Sequence, residues 1–155
     1  MAPLQLFALI WSGASAARAG LVAALKRDVV SGNSRWPVAI CRPGPDPIES
    51  LALALSEVVN VGQGVAALSD LIGELQKNER TLHLLVRQSL PGNAPEMRVV
   101  VVVDQFEEVF TLCRKDELRE ALILNLLHAA KVTQGQTLVI LTTVHRSDLP
   151  AIVLD

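Results

Sequence analysis

RVVVVVDQFEEVF, residues 98–110, runs five valines into an aspartate and then places two glutamates within one helical turn. A continuous run of β-branched residues, with no polar residue at alternate positions, reads as a strand covered on both faces. That is the habit of a parallel sheet between helix layers. Asp104 then stands at the carboxyl end of the strand, where open parallel sheets bind their ligands. Local sequence leaves Asp104 two roles, which are not exclusive. It can ligate a metal ion, or it can form with Glu107 the D-x-x-E capping box of a following helix.

Three other runs read as buried strands: Leu6–Trp11, Val38–Cys41 and Leu138–Thr142. Helical stretches lie between them. Ala14–Arg27 is rich in Ala and Leu. DPIESLALAL places Asp46 as N-cap, Pro47 as the first helical residue and Glu49 as the third, a capping-box arrangement with proline where helices tolerate it. VAALSDLIGELQ, RTLHLLVRQSL and Glu117–Val132 are three further helices, the last stopping near Gly135. RPGPDP is a rigid turn, RDVVSGNSRWP a surface loop, and PGNAP (residues 91–95) a breaker before the valine strand. Strand and helix alternate, which predicts a three-layer α/β/α domain with a mainly parallel sheet and right-handed crossovers.

The bulk numbers agree. The chain has 155 residues, enough for one domain (1–155) with one substantial core. Half of the residues are hydrophobic but only 3% are aromatic and none is Tyr, so Leu, Val, Ala and Ile must build that core. A net charge of −2, with no block of like charge, advertises neither a nucleic-acid face nor an anionic-membrane face. Cys41 and Cys113 stand far apart and without metal-ligand spacing. They are expected to be reduced, buried small residues of a cytoplasmic protein. PLQLFALIW lacks the positive charge that opens a signal peptide and is too short to span a bilayer, so a strand is expected there.

Three segments follow strands and carry chemistry: WSGASAARAGL, DQFEE and TTVHRSDL. Small residues opening a helix suit an anion. A carboxylate beside them suits hydrated Mg²⁺ bound with phosphates. An arginine nearby can stabilise charge on a transferring phosphoryl group. Together these are the parts of a nucleotide triphosphatase.

RAGLVAAL, RWPVAICRPGPDPIESLALAL, VVVVVDQFEEVFTLC and VILTTVHRSDL, in that order, resemble the P-loop domain of the STAND group, the signal-transduction ATPases with numerous domains. The likeness is greatest to the bacterial novel STAND branch often fused to tryptophan–aspartate repeats. It runs from about Ser12 to Asp148, and RPGPDP with DQFEE are its specific marks. The resemblance implies an ATP-binding switch in signalling or assembly, with ATP and Mg²⁺ as ligands and protein partners or a homo-oligomer as context. It also implies a strand order of second–third–fourth–first, with a fifth strand missing beyond Asp155. Asp104 matches the Walker B aspartate that helps hold Mg²⁺. Glu107 and Glu108 match the acidic pair, one of which polarises the attacking water. Arg146 falls near the sensor arginine, although TTVH before it departs from the usual spacing.

The phosphate loop departs most. G-x-x-x-x-G-K-[ST] is required, and ALIWSGAS (residues 8–15) stands in its place. Gly13 and Ser15 fall on the last glycine and on the Ser/Thr that helps bind Mg²⁺. Ala14 falls on the lysine, Ala8 on the first glycine, and Trp11 where the loop should be small and open. The lost lysine removes the charge that meets the β- and γ-phosphates. Roughly 3–4 kcal/mol lost in this way weakens binding several-hundred-fold.

Plainer readings accompany each residue. Glu108 also reads as a solvated helix residue, Arg146 with Asp148 as a surface pair, and Ser15 as a small residue at a helix start. His145 reads as an exposed loop residue, and His83 and His128 as face-edge or hydrogen-bonded core histidines, so no zinc site is expected. No G-x-S-x-G elbow is present, and neither cysteine sits in a nucleophile setting. At the level of function, the alternatives to an impaired ATPase are a nucleotide-independent scaffold and a truncated gene product.

Overall fold

The computed structural model of the protein describes residues 8–12, 20, 23, 36–132 and 134–143. Four strands form one sheet: β1 (Ala8–Ser12), β2 (Val38–Cys41), β3 (Val99–Val103) and β4 (Thr137–Thr143). The order is β1-β4-β3-β2 and every pairing is parallel. This is the order that the family resemblance implied. β2 and β3 have the residues expected from their apolar runs, and β4 exceeds its run by one residue at each end.

The valine strand explains its own lack of alternation. Val99, Val101 and Val103 point into the main core with α1 (Pro47–Val58) and α5 (Asp116–Lys131). Val100 and Val102 point the other way, onto Ile140, with Trp36, Val38, Ile40 and Leu138 around them. All five are at most 1% exposed. Burying a side chain of this kind stabilises the fold by roughly 1.5–3 kcal/mol, so both faces of β3 are core.

The helices follow their apolar stripes. α1 starts as expected: the Asp46 carboxylate accepts from the Glu49 backbone N–H at 3.0 Å, and Pro47 occupies the first turn. Its Ile48, Leu51, Ala52 and Leu55 are buried. α2 (Gly64–Lys77) and α3 (Thr81–Ser89) are joined by a short turn at residues 78–80, and α4 (Glu108–Thr111) is a single turn after β3. α1 packs on β2 and α5 on β4, while α2 and α3 form an outer tier resting on α1 and α5. Gly20 and Ala23 are helical, and the rest of the helix expected at Ala14–Arg27 lies outside the described residues. Among the described residues, no helix is long and apolar enough to cross a membrane.

Asn125 of α5 holds the outer tier, and nothing in the strand and helix pattern announced it. It is fully buried. Its amide donates to the carbonyls of Leu75 (2.8 Å) and Ala121 (2.9 Å), and its oxygen accepts from the Leu82 N–H at 3.2 Å. Helix ends leave backbone carbonyls and N–H groups without partners. One side chain here satisfies the last turn of α2 and the first turn of α3. The signal available in the sequence is an Asn inside the apolar stripe Leu118, Ala121, Leu122, Asn125, Leu126, Ala129.

Trp11 belongs to the strand expected from its apolar run, Leu6–Trp11, and not to the loop that the motif alignment put there. It lies within β1, opposite Thr142, and Ser12 lies opposite Thr143. Residues 8–12 are therefore strand and not the first part of a loop. Gly13–Ser15 of the expected phosphate-loop alignment lie outside the described residues.

Candidate functional site

Register brings the acidic segment together with its neighbours. Val103 pairs with Cys41 on one side and with Leu141 on the other. One residue further along, Asp104 therefore lies between Arg42 and Thr142. Its N–H donates to the Cys41 carbonyl at 2.8 Å, continuing the ladder past the strand end. The Thr142 hydroxyl donates to Asp104 Oδ1 at 2.6 Å and accepts from the Gln105 N–H at 3.1 Å. Gln105 is left-handed, at φ 54°, a conformation that side chains other than glycine adopt uncommonly. It folds the chain over the end of β4, where the Phe106 N–H reaches the Thr142 carbonyl at 2.8 Å. Asp104 is buried and its carboxylate is oriented by β4.

This overturns the capping-box reading of Asp104. α4 begins four residues later, at Glu108, and Glu107 stands in its cap position without a side-chain cap bond. The left-handed Gln105 inserts a turn between strand and helix, which D-x-x-E spacing alone does not reveal.

The solvated reading of Glu108 is overturned as well. Arg42 Nε donates to Glu108 Oε1 at 2.6 Å, its Nη2 makes an ion pair with the same oxygen at 2.6 Å, and the Gly44 N–H donates to Oε2 at 3.1 Å. The Glu108 side chain is only 8% exposed, while that of Arg42 is 61% exposed. Gly44 has φ +59°, which glycine adopts without strain, and that bend turns its N–H toward the carboxylate. The hydrogen bond and charge of Glu108 hold the Arg42 guanidinium above its ordinary pKa, with Asp104 and Glu107 adding to the effect. RPGPDP and DQFEE, 64 to 66 residues apart in the chain, thus meet in one clasp.

Glu107 is different. It is half-buried, and its Oε2 has no hydrogen-bond partner among the described residues. Such an oxygen is costly to leave unpaired and is a natural acceptor for water or a hydrated cation. Arg119 of α5, which the sequence reading passed over, fixes the far end of α4. It donates to the carbonyls of Val109 (2.9 Å) and Cys113 (2.9 Å) and to Asp116 Oδ1 (2.8 Å), and it lies over the Phe110 ring.

Cys41 and Cys113 are free and buried. Burial, and then the charge of Asp104, push the Cys41 thiol up to about 12, so it is no nucleophile near neutral pH. Gly13, Ser15, Arg146 and His145 lie outside the described residues. The sheet nevertheless brings the end of β1, at Ser12, alongside Thr143, one strand away from Asp104.

The model of the novel STAND NTPase 1 family matches residues 12–153 of this sequence. The chain belongs to that family. No curated protein and no solved structure was found to match it. The match covers most of the domain, so the clasp between RPGPDP and DQFEE is a feature of a STAND NTPase module, and nucleotide is the ligand class that goes with it.

The residues fit the Mg²⁺ of such a module. Among the described residues, no three His, Cys, Asp or Glu side chains converge to hold a metal by themselves. Mg²⁺ does not ask for that, because it keeps several waters and takes one or two carboxylates together with substrate phosphates. A buried Asp104 carboxylate oriented by Thr142 is one such group, and Glu107 has an oxygen without a partner among the described residues.

Proposed function

We propose that this STAND NTPase domain is an eroded Mg-nucleotide module. It keeps the acidic wall of the site and has lost most of the phosphate cradle, so ATP binds weakly or not at all and hydrolysis is impaired. The observation that carries this reading is the contrast between two strand ends. Asp104 is held in a fixed orientation by Thr142, whereas residues 8–12, which the phosphate motif would need as loop, are paired strand.

The residues divide the work as follows. Asp104 is the Mg²⁺ ligand, with Ser15 as a second ligand by family likeness. Glu107, whose Oε2 is free of partners among the described residues, polarises the attacking water. Glu108 is committed to Arg42 and Gly44 and positions the segment. Arg146 meets charge on the phosphates, and Gly13 is what remains of the cradle. Mg²⁺, held by Asp104 and Ser15, would supply positive charge against the phosphates.

The second reading, a nucleotide-independent scaffold, is favoured by the same strand pairing of Ala8–Ser12. ATP titrations at millimolar concentration, with and without Mg²⁺, separate the two. The module reading expects weak, Mg²⁺-dependent binding that Asp104→Ala removes. Identical behaviour of wild type and Asp104→Ala, with and without Mg²⁺, supports the scaffold.

A further inference from the structure

The outer tier carries a groove that the nucleotide reading does not use. It lies between α2 and α3, has a volume of about 430 Å³, and has a wall of Val61, Ala67, Leu71, Leu84 and Leu85. Leu84 is 37% exposed although it faces an apolar trough. The polar residues of the groove include Asp70 and Glu74, four apart on α2 and therefore one turn from each other on one face. No Lys or Arg lines it. Neither carboxylate is in an ion pair among the described residues. Arg80, which caps α3, and Arg87 within it are close enough to His83 to disfavour its protonation, and neither lines the groove.

We infer that this groove docks an amphipathic helix of a protein partner, with Leu-type anchors on one face and two Lys or Arg residues one turn apart beside them. An apolar trough takes such anchors at i, i+4 and i+7, and the unpaired carboxylates select the basic charges and steer the approach. α2 has 14 residues and α3 has 9, about 21 and 13 Å at 1.5 Å per residue, so the shorter wall spans about two turns of a partner helix, the reach of anchors at i, i+4 and i+7. Its side walls rest on Asn125, which fixes the spacing between the two helices from below.

The test uses the full chain and a synthetic 14-residue helical peptide with Leu at positions 1, 5 and 8 and two Lys four residues apart, with a Glu-for-Lys peptide as control. Fluorescence anisotropy should show saturable binding of the basic peptide and at least about tenfold weaker binding of the acidic one. The charge-reversing double variant Asp70→Lys/Glu74→Lys should invert that preference, and Leu84→Glu should weaken the basic peptide by about tenfold. Both substitutions lie on exposed positions, and circular dichroism verifies that each variant is folded. No binding of the basic peptide, or equal binding by the charge-reversed variant, overturns the proposal. So does concentration-dependent self-association of the wild type that the same variants abolish, because a second copy of this chain would then be the occupant.

Discussion

Glu107 and Glu108 are adjacent, identical in chemistry, and opposite in circumstance. Arg42 and the Gly44 N–H take up both oxygens of Glu108, while Glu107 leaves Oε2 without a partner among the described residues. Removing one member of a buried hydrogen-bonded set leaves the others unsatisfied, typically at about 1–3 kcal/mol. Glu108→Ala should therefore lower the unfolding free energy by about that amount in urea denaturation. Glu107→Ala should not lower it, because it removes a buried oxygen that has no partner among the described residues. Equal losses for the two would contradict the division of roles. Thr142 is the other fixed point, since its one hydroxyl serves Asp104 and the left-handed Gln105. Thr142→Ser keeps both bonds, whereas Thr142→Val loses both. Unfolding free energies of the pair from urea denaturation should separate by about 1–3 kcal/mol, with the serine variant near wild type.

At the scale of elements, the outer tier depends on polar contacts inside an apolar layer. Asn125→Leu keeps the size of the side chain and strips three hydrogen bonds from it, leaving the Leu75 carbonyl and the Leu82 N–H buried without partners. At about 1–3 kcal/mol for each such group, the variant should be among the most destabilising single changes in the domain. Hydrogen exchange should quicken first in α2 and α3, because they are the elements it ties down. A second sensitivity lies between α3 and α5, where His83 and His128 meet edge to face with ring centroids 5.7 Å apart. Among the described residues, neither His83 Nδ1 nor His128 Nε2 has a hydrogen-bond partner; half-buried His128 fits the face-edge reading, and His83 is buried. Burial, and then the neighbouring His128, Arg87 and Arg80, hold the pKa of His83 below its usual 6.5. The unfolded chain thus binds a proton there more readily than the folded one. Stability is complete above about pH 6.5 and falls as the pH drops below it. The decline should end at the lowered folded-state value, and His83→Leu should flatten that part of the pH–stability curve.

Across the whole molecule, legibility followed the range of the interactions. β3 could be read residue by residue because a strand buried on both faces must be apolar throughout, and β2, whose Val38 and Ile40 are half-buried, is short and apolar as well. The start of α1 could be read because Asp46, Pro47 and Glu49 act within one turn. Glu108 could not, because its partners arrive only once β2 lies beside β3 and RPGPDP bends over the strand end. Trp11 was legible as part of the apolar strand Leu6–Trp11, while the motif alignment put it in a loop; its pairing with Thr142 bears out the strand. Asp104 was legible as a strand-end carboxylate and misread as a cap, since its partner Thr142 comes from β4, 38 residues further along.

Calorimetric titration of Mg-ATP into the wild-type domain tests the eroded-site account most directly. If an intact phosphate loop binds near about 1 µM, losing roughly 3–4 kcal/mol moves the dissociation constant to about 0.1–1 mM. Heats that fail to saturate below that range are the predicted result. A dissociation constant near 1 µM or tighter would mean that residues 13–15 still cradle the phosphates, and would contradict the account.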